Sequence, residues 1–178
     1  MKISEIFGVQ DFFVVVCEFF YNNINTDDKD PKTILEIIRY NLDEVHIQIV
    51  NESIVLNTKY IKEVLKISIE SYKRGILATK KLETDLLMRL SHCDQIFEAI
   101  KIGGIKENSL NYVIIFSKNK KEVKEAIKKI KNEIKKFEML SNKKDREHLY
   151  ENKSKMHVKN TKEILQYFVE RASLITEK

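Results

Sequence analysis

Residues 112–137 read YVIIFSKNKKEVKEAIKKIKNEIKKF, and two periodicities meet inside them. Tyr112 to Phe116 is a short unbroken run of aromatic and β-branched residues, the composition of a buried strand. From Lys120 onward the apolar residues become Val123, Ile127, Ile130, Ile134 and Phe137, at spacings of four, three, four and three. Lys and Glu fill the positions between them, so one helix carries an apolar stripe and a charged face. A buried strand that runs straight into an amphipathic helix calls for a mixed fold in which helices cover a sheet.

Working outward, Phe12 to Phe20 (FFVVVCEFF) predicts a second buried strand, followed by a polar loop over Tyr21–Asp30. Asp30-Pro31 marks a helix start, because Asp caps free amides and Pro at the first helical position loses no bond. Ile34, Leu35, Ile37 and Ile38 carry that helix to about Tyr40. Val45 to Ile49 alternates like a half-buried strand and puts His46 on its polar side, a surface imidazole. A helix follows from Asn57 or Thr58, with Ile61, Val64, Leu65 and Ile69 on one stripe and Gly75 as a left-handed stop. Asp85 to Leu90 (DLLMRL) predicts another strand, with Ser91 capping a helix whose apolar face is Ile96, Phe97 and Ile100. Gly103-Gly104 ends it, both able to take positive φ. Residues Ser141–Lys155 are polar, and a last helix is expected from Asn160, apolar at Ile164, Leu165, Phe168, Val169, Ala172 and Ile175. The fold expected is a single α+β domain over residues 1–178. It has a mostly antiparallel sheet of about four strands, packed with several helices, the long amphipathic ones toward the C-terminus.

Composition supports an ordinary soluble chain. At 178 residues there is room for one core, and 43% hydrophobic against 33% charged residues excludes global disorder. Cys17 and Cys93 form no CxxC pair, so reduced thiols in a cytoplasmic protein are the expectation. No signal-peptide pattern opens the chain, and Phe12–Phe20 is too short to span a bilayer. Charge is uneven. Residues 118–159 hold 14 Lys and one Arg against seven acids, whereas residues 1–40 hold three Lys and one Arg against seven. A basic half is compatible with nucleic acid, and equally with a solvated lysine face.

Catalytic signatures are missing: GxSxG, GxxxxGK[ST], GxGxxG and HExxH do not occur. His92-Cys93 has no second ligand pair at metal spacing, so no metal is expected. The enzyme alternative is a small cleft where Cys93 or His92 acts on a nucleotide or acyl substrate, Cys93 having a thiol near a helix start.

The segment Thr79–Ile105, TKKLETDLLMRLSHCDQIFEAIKIGGI, decides between these classes. In order it holds Lys80-Lys81-Leu82, Asp85-Leu86-Leu87, Leu90-Ser91, Gln95-Ile96, Ala99-Ile100 and Gly104-Ile105. That succession resembles the PRPK-binding (TPRKB-like) subunit family of the KEOPS tRNA-modification complex. The likeness is good from Val45 to Phe116 and rests on element order toward the ends. Tyr60 stands where a His is often found in the family. His92 and Asp94 stand where archaeal members tend to have Gly and Arg, which leaves those two positions without a carried-over role.

The resemblance implies a non-catalytic accessory subunit without cofactor, membrane or small-molecule substrate. Such a protein binds and stimulates an atypical kinase of PRPK/Bud type. It also helps recruit tRNA, through the 3′ CCA end, for threonylcarbamoyl-adenosine synthesis. Two surfaces are then expected. The kinase surface is assigned to Phe168, Ala172 and Ile175 of the last helix, which equally suit the chain's own core. The RNA surface is assigned to Lys59, Lys80, Lys81 and Arg89, with support from the 118–136 lysines and stacking offered by Tyr60 or Tyr72. Arg89 has a second reading, a stem lying along a sheet edge with its charge at the surface.

Overall fold

The computed structural model describes residues 1–21, 31–138 and 161–175. Residues 22–30 of the expected loop, the polar stretch Ser141–Lys155, the helix start at Asn160 and the side chain of Phe137 lie outside what is described.

Among the described residues five antiparallel strands form one sheet. These are β1 (Lys2–Ile3), β2 (Phe7–Val9), β3 (Phe12–Tyr21), β4 (His46–Asn51) and β5 (Ser109–Ser117). Their order is β1-β3-β5-β4, with β2 also paired to β3. The long central pair β3–β5 sets Val15 opposite Ile115 and Cys17 opposite Val113. Both strands read as continuous apolar runs because both faces of the sheet are covered. Alternate residues then separate cleanly. Phe12, Val14 and Val16 with Ile114 and Phe116 enter one core, while Val15, Cys17 and Phe19 with Val113 and Ile115 enter the other.

Among the described residues six α-helices clothe the two faces: α1 (Pro31–Arg39), α2 (Thr58–Arg74), α3 (Leu82–Ser91), α4 (Ile96–Gly103), α5 (Lys120–Glu138) and α6 (Thr161–Ser173). Ile34 and Ile38 of α1 and Val123, Ile130 and Ile134 of α5 fill the second core. The first core takes Ile61, Val64, Leu65 and Ile69 of α2, Leu86 and Leu90 of α3, and Leu165 and Ala172 of α6. Asn57 caps α2 by accepting from the Tyr60 amide at 2.8 Å, and Gly75 closes it at φ 70.

Four expectations are corrected. The strand expected at Asp85–Leu90 is helix α3. Leu82, Leu86 and Leu90 recur every four residues, and Asp85 and Arg89 pair at the same spacing. Every residue of that segment is buried, so a short apolar run carries no alternation by which strand and helix separate. Ser91 therefore caps nothing downstream: it closes the last turn of α3 and donates to the Leu87 carbonyl at 2.7 Å. His46 is not a free surface imidazole either: α3 covers part of its side of the sheet and leaves 33% of the side chain exposed. Its ring stacks on Phe116 at 5.0 Å, and its Nδ1 lies 2.9 Å from Glu83. Gly104 ends α4 in an extended conformation, φ −67, rather than a left-handed one.

Candidate interaction surfaces

Helix α4 is turned inside out. Its inward positions are the small Ala99 and Gly103, four residues apart, while Ile96, Phe97, Ile100 and Ile102 are exposed, Phe97 by 75%. Gly103 explains the close seat of this helix: a β-carbon there would collide with Cδ1 of Ile54 and stand 3.2 Å from Cδ1 of Leu87. Small residues inside allow α4 to approach α3, and the large apolar residues are left facing water. Ile96, Phe97 and Ile100 fall on one side of the helix and form a candidate apolar contact surface, with Ile102 on the other flank.

Beside it runs an open groove of about 780 Å³, lined by Tyr72 and Gly75 of the α2 end, Leu77 to Lys81, Thr84 and Ile96. Lys80 and Lys81 are exposed at its rim, and Tyr72 is 46% exposed, so a stacking surface and two cations meet there. Of the four residues assigned to RNA, the structure brings these two lysines together and leaves the other two apart. Lys59 is exposed in the first turn of α2, thirteen residues from Tyr72, which is roughly 20 Å along a helix. Arg89 is 2% exposed. Its Nε donates to Asp85 Oδ2 at 2.6 Å, its Nη1 to the Ala172 carbonyl at 3.0 Å and its Nη2 to Ser71 Oγ at 3.1 Å. A guanidinium so occupied offers nothing to a phosphate, and its other reading fails too, because Arg89 lies on buried helix α3 rather than on a strand at a sheet edge.

The residues assigned to the kinase pack toward the chain's own interior. Ala172 and Ile175 are buried among the first core, and Phe168 is half-buried against Tyr60 at 6.1 Å and His92 at 5.4 Å. The exposed apolar residues of that C-terminal segment are Tyr167 and Leu174. Tyr60 is closed to RNA too, since it is buried with its hydroxyl 3.2 Å from His92 Nε2, and burial pushes its phenol pKa up. Cys93 is half-buried with Sγ donating to the Ser91 carbonyl at 3.3 Å, and neither it nor His92 lines the groove.

His92 closes α3 in a left-handed conformation, φ 53, and its buried Nδ1 has no hydrogen-bond partner among the described residues. Burial, and then the nearby charge of Arg171, hold its pKa below the ordinary 6.5. The unfolded chain therefore takes up that proton first, and stability falls as pH drops through 6.5 toward the lower folded value. His92→Asn keeps a residue that tolerates positive φ. Melting temperature measured across that interval is expected to decline less in the variant than in the natural chain.

A sequence model of the family described as "Kinase binding protein CGI-121" matches residues 21–175. The chain belongs to this family. The CGI-121 match takes in α4, the groove and the C-terminal helix, and it bears out the family resemblance carried by Thr79–Ile105. Kinase binding is the property that names the family, and α4 is the described helix with the most exposed apolar face. None of the curated proteins matches the chain. Among the described residues no helix is long and apolar enough to cross a membrane, and no group of three or more His, Cys, Asp or Glu is placed to hold a metal ion.

Proposed function

We propose that this chain acts, as one domain over residues 1–178, as a non-catalytic cytoplasmic subunit of a KEOPS complex. It binds and stimulates a PRPK/Bud-type kinase and helps recruit tRNA. The inside-out helix α4 on a member of a kinase-binding family is the observation that carries this reading. The kinase docks on Ile96, Phe97 and Ile100. The neighbouring groove takes the single-stranded 3′ end of tRNA, with Tyr72 offering a face for a base and Lys80 and Lys81 neutralising phosphates. Single-stranded recognition suits a site that pairs one aromatic ring with cations rather than one that presents a helix to a duplex groove.

Kinase binding is tested by co-purifying the full chain with a PRPK/Bud-type kinase, and RNA binding by titrating tRNA at several salt concentrations. Affinity for tRNA is expected to fall with salt, at about 0.7 in log–log slope for each single-strand phosphate contact. In Lys80→Glu/Lys81→Glu that slope drops by about 1.4 and affinity falls at every salt concentration. A tRNA from which the 3′ terminal nucleotides have been removed is expected to bind the natural chain as weakly as tRNA binds the variant. Salt-insensitive binding, or equal affinity for the natural chain and the double variant, defeats the RNA half of the reading. Failure to retain the kinase defeats the other half.

A further inference from the structure

The buried Asp85–Arg89 pair touches three separate segments at once. Arg89 Nη1 donates to the carbonyl of Ala172 in the last turn of α6. Final-turn carbonyls lack helical partners and carry the negative end of the helix dipole, so a guanidinium is a favourable cap there. Arg89 Nη2 donates to Ser71 in the last turn of α2. Asp85, fully buried, accepts Arg89 on both oxygens, Nε on Oδ2 at 2.6 Å and Nη2 on Oδ1 at 3.3 Å, and its Oδ1 also accepts the backbone N–H of Ala78 at 2.9 Å. Ala78 is part of the groove wall.

We infer that this pair is a positioning link through which the seating of α6 sets the conformation of the groove loop Ile76–Lys81. With α6 in place, the Ala172 carbonyl fixes the guanidinium, the guanidinium fixes the carboxylate, and the carboxylate fixes the Ala78 amide. Displacing the end of α6 removes one acceptor from a buried cation, so Arg89 must reorient, and Asp85 loses the geometry in which it holds Ala78. A buried ion pair contributes little net stability compared with apolar residues of similar volume. Its reach across α2, α6 and the groove loop is instead what two discrete arrangements require if one site is to bias another. The inference deepens the groove reading above, and a partner that presses on the C-terminal helix then alters what the groove holds.

The test needs neither RNA nor kinase. Ile175 is buried in the first core just past the end of α6, so Ile175→Val loosens the seat of the helix gently. Amide exchange is followed by NMR at Ala78 and, as an internal reference for global opening, at Ile115 in the central strand. Ile175→Val is expected to speed Ala78 relative to Ile115 by roughly fivefold or more, the lower end of ordinary coupling between sites. In an Asp85→Asn/Arg89→Met background, where both charges are gone together, the same substitution is expected to leave that ratio unchanged. Arg89→Lys is the second uncoupled background: it keeps the charge facing Asp85 but lacks the fork that reaches Ser71 and Ala172 together. An equal acceleration of Ala78 in the natural and uncoupled backgrounds, or none in the natural one, overturns the link. Loss of tRNA binding by the natural chain with the exchange pattern intact overturns only the groove's ligand.

Discussion

Replacing Arg89 by methionine is expected to lower the unfolding free energy by about 3–5 kcal/mol, the largest stability effect of any single substitution considered. The stem of methionine refills much of the volume, so the loss does not come from a cavity. It comes from Asp85, which is fully buried and left as an uncompensated charge, and from the Ala172 carbonyl and Ser71 hydroxyl, which lose their donor. Asp85→Asn added to Arg89→Met removes the stranded charge while an amide oxygen still accepts from Ala78. Most of the lost stability is expected to return, measured by urea unfolding at constant slope. A single variant that loses under about 1 kcal/mol, in the range of an exposed pair, contradicts the burial of this site. If the double variant is as unstable as the single one, the hydrogen bonds to α2 and α6, rather than the charge, are what the core depends on.

That expectation reverses the sequence reading of the same residue, and the reversal shows what a sequence displays and what it conceals. Period and composition made the long elements legible. The stripe Val123–Ile134 is the inner face of α5, FFVVVCEFF is β3, and YVIIF is the middle of β5. Segment 85–90 was not legible by those means, because burial on all sides erases periodicity. One signal there did favour a helix, the Asp85–Arg89 spacing of four, and it also names the pair that anchors Arg89. β1 and β2 are two and three residues long and carry no pattern that registers. The interaction surfaces were concealed for a different reason. Apolar residues at helical spacing say that a face is buried without saying by what. Phe168, Ala172 and Ile175 serve the chain's own core, whereas Ile96, Phe97 and Ile100, the apolar face of their helix, are exposed. Ala99 and Gly103, spaced by four on the same short helix, were the clue that a closer approach was available on the opposite side.

Phe97→Glu is expected to abolish measurable retention of the kinase while leaving the fold intact. Phe97 is 75% exposed, so in the isolated chain a carboxylate at this position meets water and costs stability only within the range of ordinary surface changes, about 0.5 kcal/mol. In the complex the same carboxylate sits where an aromatic anchor is packed. Loss of such an anchor costs about 2 kcal/mol or more, roughly a thirtyfold loss of affinity, and an unpaired buried charge adds to it. The diagnostic is therefore a contrast between two measurements: the melting temperature of the free chain stays in place, and the dissociation constant for the kinase rises by well over an order of magnitude. Phe168→Ala is expected to do the reverse, because its ring packs on Tyr60 and His92 and belongs to the chain's own interior. It lowers the melting temperature and disturbs kinase binding only as far as the fold is weakened. Should Phe97→Glu bind the kinase normally, α4 is not the docking face. The exposed apolar residues of the C-terminal segment, Tyr167 and Leu174, then become the next surface to challenge, and a kinase seated there would press directly on the helix whose final carbonyl Arg89 holds.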